Sequence, residues 1–434
     1  MRYKKINNYL FEKNRQKLSR RLPILSLAIV ISNDEMPRSA DQFFPFRQNS
    51  NLFYFSGIEQ PRTILCLCPD YHDHRFHEIL FIKKPTERHQ TWFGKQLGKE
   101  QATELSGIKL VYWLENFEQV LSELMKHAKH VYVALHEENR SFDEVPLREF
   151  RFVQKIKNLY SLHQYQQLSP IINELRQIKE PEEIEQIKSV VTITEKAYYK
   201  IIGIIKPGIT EYEIEAEIIS EFIRNGASGH AFQPIVASGE NACILHYTEN
   251  KNVCNENELV LIDFGAEFTN YNADITRTLP VSGTFSKRQR DVYLAVLRLH
   301  DKAASLIKLG ATIEKINQEM APQFEEEMIN LGLLSRSDIE KQDTEKPLYK
   351  KYFMHGVSHY LGLDVHDVGN KTDILMPGMI VTCEPGLYIQ EEKLGIRLEN
   401  DILITEHGNI NLTSGIPVQP DDIEELMARN FSKH

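Results

Sequence analysis

The chain lacks a basic excess, has few cysteines and holds no long apolar run, and each shortage removes a class of function. Lys and Arg total 51 against 61 Asp and Glu, a formal charge of −10. A nucleic-acid surface needs clustered cations to displace condensed counterions, so nucleic acid is not an expected partner. The longest apolar run, LPILSLAIVI at residues 22–31, falls well short of the ~20 residues of a membrane span. It follows Arg20 and Arg21 and is not followed by the small-residue cleavage site of a leader. It reads as a buried strand, and no membrane association is expected. The five cysteines, Cys66, Cys68, Cys243, Cys254 and Cys383, are odd in number and scattered. That usage implies reduced thiols and a cytoplasmic location. Cys66-x-Cys68 could bind a metal, but no partnering Cys or His cluster follows, so both thiols are expected on one face of the strand ILCLC. There is no low-complexity tract and no repeat with a period of about 20–50 residues.

What is present suits a soluble two-domain protein: 434 residues, 41% hydrophobic and 26% charged. Up to roughly residue 165 the patterns alternate between strand and helix. ILSLAIVIS, TILCLC, EILFIKK and HVYVAL read as strands, and NFEQVLSELMKHAK as an amphipathic helix. This segment, residues 1–168, is expected to be an α/β domain with a mixed sheet that gates or shapes a site elsewhere. The boundary lies in LSPIINELRQIKEPEEIEQIKSVV. There Pro181 is placed for the first turn of a helix with Ile184, Ile187, Val191 and Tyr198 on one stripe. Thr210 and Glu213 are spaced as a capping box for the next helix, which carries Ile214, Ile218 and Phe222. Two helices followed by a strand-rich, glycine-punctuated half make residues 169–434 an α+β domain with an antiparallel sheet.

Four acids of this second half follow or interrupt apolar strands, a costly position for an unpartnered charge. In LVLIDFGAEFTNYNADITRT, Asp263 ends a buried run and Asp274 follows a turn-prone stretch. A four-residue loop at 267–270 would set residue 263 opposite 274, Cβ atoms roughly 5 Å apart. Glu384 ends the run in GMIVTCEP, and Arg397 and Glu399 share a face in GIRLENDILIT. Carboxylates crowded this way need protonation or a cation between them. The simplest common centre is a pair of divalent metals. An oxygen-rich set with one imidazole suits Mn²⁺ and tolerates Co²⁺, Zn²⁺ or Fe²⁺. Two ions roughly 3.5 Å apart can share a hydroxide in acyl transfer. The imidazole comes from MHGVSHYLGLDVHDVG, which holds His355, His359 and His366. Alternation after Tyr360 suggests a strand with His366 on its polar face, and the residues alone do not select one ligand among the three.

These segments, with CILHYTEN, VTCEPGLYI, MPRSADQFFPFRQNSNLFYFSG and TWFGKQLG, resemble in content and order the pita-bread metallopeptidases of aminopeptidase P (Xaa-Pro aminopeptidase) type. The resemblance runs nearly end to end. It implies an amino-terminal α/β domain followed by a pita-bread catalytic domain with a curved antiparallel sheet, α+β overall. It also implies metal ligands Asp263, Asp274, His359, Glu384 and Glu399, with Asp274 and Glu399 bridging two ions. His246, His355 and His366 would bind substrate and stabilise the oxyanion. Glu384 would shuttle the proton, Arg397 would orient the site, and Tyr388 is a candidate for support. Trp92 resembles a residue lent by a neighbouring subunit to the proline pocket, so a homodimer or homotetramer is implied. Tyr360 stands where many relatives have tryptophan, and the stretch from Glu384 to Glu399 is shorter than in some. The implied reaction is hydrolysis of the first peptide bond of small peptides with proline second, by a dinuclear-metal-activated hydroxide. A prolidase acting on Xaa-Pro dipeptides is the alternative, ahead of a non-catalytic pita-bread binding module.

Overall fold

The computed structural model describes residues 5–135 and 146–431. The chain divides into two compact units, one ending at Arg176 and the other beginning at Gln177. The division falls at the end of the helix Ser169–Gln177, whereas the sequence boundary stood at 168/169.

The first unit is built on six strands: β1 (Ser26–Ile31), β2 (Ile64–Leu67), β3 (Glu78–Ile82), β4 (Leu110–Trp113), β5 (His130–Val133) and β6 (Gln164–Gln167). Their order is β4-β3-β2-β1-β5-β6. The pairs β1–β2 and β2–β3 are antiparallel, and β1–β5, β3–β4 and β5–β6 are parallel. Of the run at residues 22–31, Ser26–Ile31 forms β1 and is buried at every position, whereas Ile24 and Leu25 are exposed in the turn before it. Helix α1 (Phe117–His127) turns Val120, Leu121, Leu124 and Met125 onto the face that carries Cys66 and Cys68.

The second unit opens with α2 (Pro181–Ile201) and α3 (Glu211–Arg224), which start at Pro181 and at the Thr210–Glu213 capping box. Every strand pairing described in this unit is antiparallel. One sheet is β7 (Ile235–Ser238), β8 (Leu259–Phe264) and β9 (Ile275–Pro280) in that order. A small sheet joins Tyr271–Asn272, Ala266–Phe268 and Gly229–His230 in that order, and later strands are β10 (Ile380–Cys383), β11 (Gly386–Ile389), β12 (Leu394–Arg397), β13 (Asn400–Thr405) and β14 (Gly408–Asn411), paired as β10-β13-β14 and β11-β12.

The hairpin between the first two acids differs in register from the sequence expectation. Its turn is two residues, Thr269 and Asn270, both left-handed with φ +57° and +64°. A turn of that hand matches strand twist, and it pairs Phe268 with Tyr271. Asp263 therefore faces Thr276, not Asp274. Asp274 becomes its diagonal neighbour on the same face, still within side-chain reach. Gly265 permits the close crossing, since a Cβ there would lie 1.7 Å from the Ala273 carbonyl oxygen.

The same hairpin is tied to α2. Glu183 is buried and accepts the Glu180 N–H and the Tyr271 hydroxyl, both at 2.9 Å. Burial pushes its carboxyl up to about 7, so the folded chain keeps a proton that an unfolded glutamate, near 4.3, has released. Its contribution is whole below about pH 4 and is lost as pH rises through about 7. In urea unfolding, wild type is expected to lose up to roughly 3 kcal/mol relative to Glu183→Gln between pH 4 and 8. Parallel pH profiles for the two proteins would contradict this.

Candidate metal centre

Each acid reaches the centre from a different strand end. Asp263 is next to last in β8, Asp274 precedes β9, Glu384 follows β10, and Glu399 sits between β12 and β13. Asp263, Asp274 and Glu399 are buried, and the side chain of Glu384 is 18% exposed. One ligand atom each of Asp274, His359 and Glu399 lies within 4.8 Å of the other two. His359 Nε2 is 3.4 Å from Asp274 Oδ2 and 3.9 Å from Glu384 Oε1. Its Nδ1 is 2.9 Å from the Tyr360 carbonyl. A carbonyl only accepts, so Nδ1 is the donor there and Nε2 is the ring atom turned toward the two carboxylates. The crowded carboxylates need a positive partner.

Arg397 supplies part of one. Its Nη2 donates to Asp263 Oδ2 at 2.6 Å, while Asp263 Oδ1 is buried without a hydrogen-bond partner. Its Nε donates to Thr276 Oγ1 at 3.0 Å, and that hydroxyl donates to Glu399 Oε2 at 2.6 Å. One guanidinium does not neutralise four acids. Burial, then Asp263, raises the Asp274 carboxyl well above the usual range. Burial, then Asp274 and Asp263, does the same to Glu399. Burial also raises Glu384, against the pull of His359 and Arg397.

The remaining candidates lie at different distances from this cluster. His355 Nε2 accepts from the Tyr388 hydroxyl at 2.8 Å, and Tyr388 accepts from Arg397 Nη1 at 2.8 Å. Its Nδ1 is 2.7 Å from the Gly356 carbonyl and 3.6 Å from Glu384 Oε2. Burial and the charge of Arg397 push His355 down to about 3, so it is neutral. The His366 ring stands 4.3 Å from that of His359, centroid to centroid. His246 is exposed and adds to the field that lowers His355. Trp92 belongs to the first unit, on the short helix Glu87–Phe93, and is 74% exposed.

Two sequence expectations need correction. Residues 361–369 form bends, not a strand, with one bridge from Tyr360 to Val381. The buried ion pair of Lys179 Nζ and Asp367 Oδ2, 3.0 Å, holds the folded-back segment against Gly362, where a Cβ would strike both side chains. Glu399 also lies just beyond β12, not within a continuous strand. Sequence reasoning overlooked Thr276, Arg277 and Asp401. Buried Arg277 donates to the carbonyls of Thr276, Glu399, Ile416 and Pro417 and to Asn400 Oδ1. Asp401 Oδ2 accepts the Asp274 N–H at 3.3 Å. The criterion that flagged Glu399, a charge inside an apolar run, also applies to both of these charged residues.

Residues 185–406 match the model of metallopeptidase family M24, and residues 11–132 match that of the aminopeptidase P N-terminal domain. The Xaa-Pro aminopeptidase of Escherichia coli (strain K12) is 36% identical, with 97% of this chain and 98% of that protein covered. The chain belongs to the aminopeptidase P group of metallopeptidase family M24. The structure of E. coli aminopeptidase P with the inhibitor Pro-Leu superposes with a TM-score of 0.88 at 35% identity, covering 99% of this chain and 100% of that one. The zinc-substituted E. coli aminopeptidase P with product gives 0.87 at 36%, covering 98% and 99%. The fold is accordingly the pita-bread architecture of the aminopeptidase P group, and the chain is a metallo-exopeptidase.

The donor set fits divalent cations: four carboxylates, one of them Asp263 with an orphaned oxygen, and an imidazole nitrogen converge in a buried space. Asp274→Asn removes one of the mutually repelling charges. Chelator-stripped Asp274→Asn is expected to be more stable than stripped wild type by about 1–3 kcal/mol at neutral pH, and to lose the rise in Tm that divalent metal gives wild type. A variant less stable than stripped wild type would contradict the repulsion.

Proposed function

We propose that this chain removes the amino-terminal residue from small peptides with proline in the second position, using two divalent ions. Asp263, Asp274, His359, Glu384 and Glu399 would hold them, Asp274 and Glu399 between the two. When bound, such ions supply Lewis-acid polarisation of the scissile carbonyl and lower the pKa of water to near neutrality. Mn²⁺ is the preferred ion on the oxygen-rich donor set, with Co²⁺, Zn²⁺ and Fe²⁺ as substitutes. The observation that carries the reading is the convergence of Asp274, His359 and Glu399 ligand atoms within 4.8 Å of one another, with Glu384 Oε1 3.9 Å from His359 Nε2.

Glu384, raised in pKa by burial, takes the proton of the attacking water and delivers it to the leaving proline nitrogen. The leaving nitrogen must gain a proton to depart, and as a tertiary amide it offers no N–H for recognition, so a pocket for the pyrrolidine ring takes the place of that hydrogen bond. The Arg397–Tyr388–His355 hydrogen-bond series keeps His355 neutral and in a fixed orientation beside Glu384. His246 and His366 bind substrate and stabilise the developing oxyanion. The free amino terminus sits near the acids, which accounts for exopeptidase action. Trp92, exposed on its own protomer, would close the proline pocket of a neighbouring copy in a homodimer or homotetramer. The first unit would then gate and assemble the enzyme. The five free thiols suit a cytoplasmic setting.

With Mn²⁺ present, X-Pro-Y peptides are expected to be cleaved and X-Ala-Y peptides not, and chelation should abolish turnover. Cleavage of the Xaa-Pro dipeptide alone would favour a prolidase. Glu384→Gln should lower kcat by at least a hundredfold, and full peptidase activity in that variant would overturn the proton-transfer role given to Glu384. Tyr388→Phe should lower kcat about tenfold with little change in KM, since it frees His355 without removing it.

A further inference from the structure

The first unit contains a second convergence of metal-type donors, unrelated to the acids above. Cys68 follows β2, Asp70 lies two residues on in the connection to β3, and His127 ends α1. One ligand atom of each lies within 4.8 Å of the other two. His127 Nε2 and Asp70 Oδ1 are 3.5 Å apart. A tetrahedral ion with ligand lengths of about 2.0–2.3 Å separates its ligand atoms by roughly 3.3–3.8 Å. Both atoms are buried, and neither has a hydrogen-bond partner. The second oxygen of Asp70 accepts the Leu25 N–H, which fixes the carboxylate and turns its orphan oxygen toward His127. Fully buried Cys68 adds sulfur. Two buried polar atoms without hydrogen bonds, aimed at one another beside a thiol, are costly unless a cation joins them.

We propose that Cys68, Asp70 and His127 form a zinc site that clips the end of β2 to the end of α1, with a solvent molecule as the fourth ligand. Thiolate, imidazole and carboxylate together suit Zn²⁺, whereas the sulfur-free acid cluster suits Mn²⁺. Burial and Asp70 push the Cys68 thiol up to about 12, so the empty site holds a protonated thiol. Metal binding forms the Zn–S bond and releases that proton to solvent. The lone Cys66-x-Cys68 pair hid this arrangement, because the partners are Asp70 and a histidine on a distant helix. Cys66 faces the same core cluster and is not a member.

Cobalt reports on sulfur ligation directly, because a thiolate-to-Co²⁺ charge-transfer band arises in the near ultraviolet and the catalytic donors contain no sulfur. Chelator-stripped full-length protein titrated with Co²⁺ is expected to develop that band. Cys66→Ser and Asp274→Asn should retain it, and Cys68→Ser should lose it. By equilibrium dialysis against Zn²⁺, Cys68→Ser should bind one equivalent fewer than wild type while keeping wild-type peptidase activity with Mn²⁺. Should Cys68→Ser fail to fold, Asp70→Asn and His127→Gln carry the same expectation of one lost equivalent and a weakened band. A wild-type protein without the band, or a band that survives in Cys68→Ser, overturns the site.

Discussion

Mutual repulsion among buried carboxylates is the constraint on which the catalytic unit depends. Asp263, Asp274, Glu384 and Glu399 come from separate strand ends, and only Arg397 among the groups bonded to them carries a fixed positive charge. In a low-dielectric space such a set carries an unfavourable energy that packing alone does not offset. Folding tolerates it because neighbouring groups position the acids firmly. Thr276 donates to Glu399, the Asp274 N–H is held by Asp401, and Arg277 fastens the Glu399 backbone. The result is a site prepared for cations before any arrive, stabilised by binding in proportion to how strongly the acids repel without them.

The same constraint explains the histidines. His359 is set by the Tyr360 carbonyl to turn its other nitrogen to the acids, and His355 is held neutral by burial and by the field of Arg397, its Nε2 accepting from Tyr388. Arg397 thus acts at two places, partnering Asp263 and setting the protonation of a histidine beside Glu384. In the first unit the same chemistry recurs on a smaller scale, where Asp70 and His127 face each other beside a buried thiol.

Much of this was legible in the sequence because it rests on period and cost. Buried runs such as Ser26–Ile31 and Leu259–Phe264 announce strands, and an acid ending such a run announces a partner. Pro181 and the Thr210–Glu213 box mark helix starts through local backbone chemistry. The hairpin register was not legible, since Thr269 and Asn270 are not glycines and their left-handed conformations, which set the two-residue turn, are not announced by residue type. Alternation in residues 361–369 imitated a strand because the deciding force, the Lys179–Asp367 ion pair, spans a long sequence separation. The partnership of Cys68 with His127 was hidden for the same reason.

Two cations are the proposed means by which the repelling acids are reconciled. Calorimetric titration of Mn²⁺ into chelator-stripped protein tests this most directly, with differential scanning of the same samples. Two equivalents bound per chain, with a higher Tm at saturation, is the predicted result. No binding, or one ion that saturates both the heat and the rise in Tm, would contradict the account.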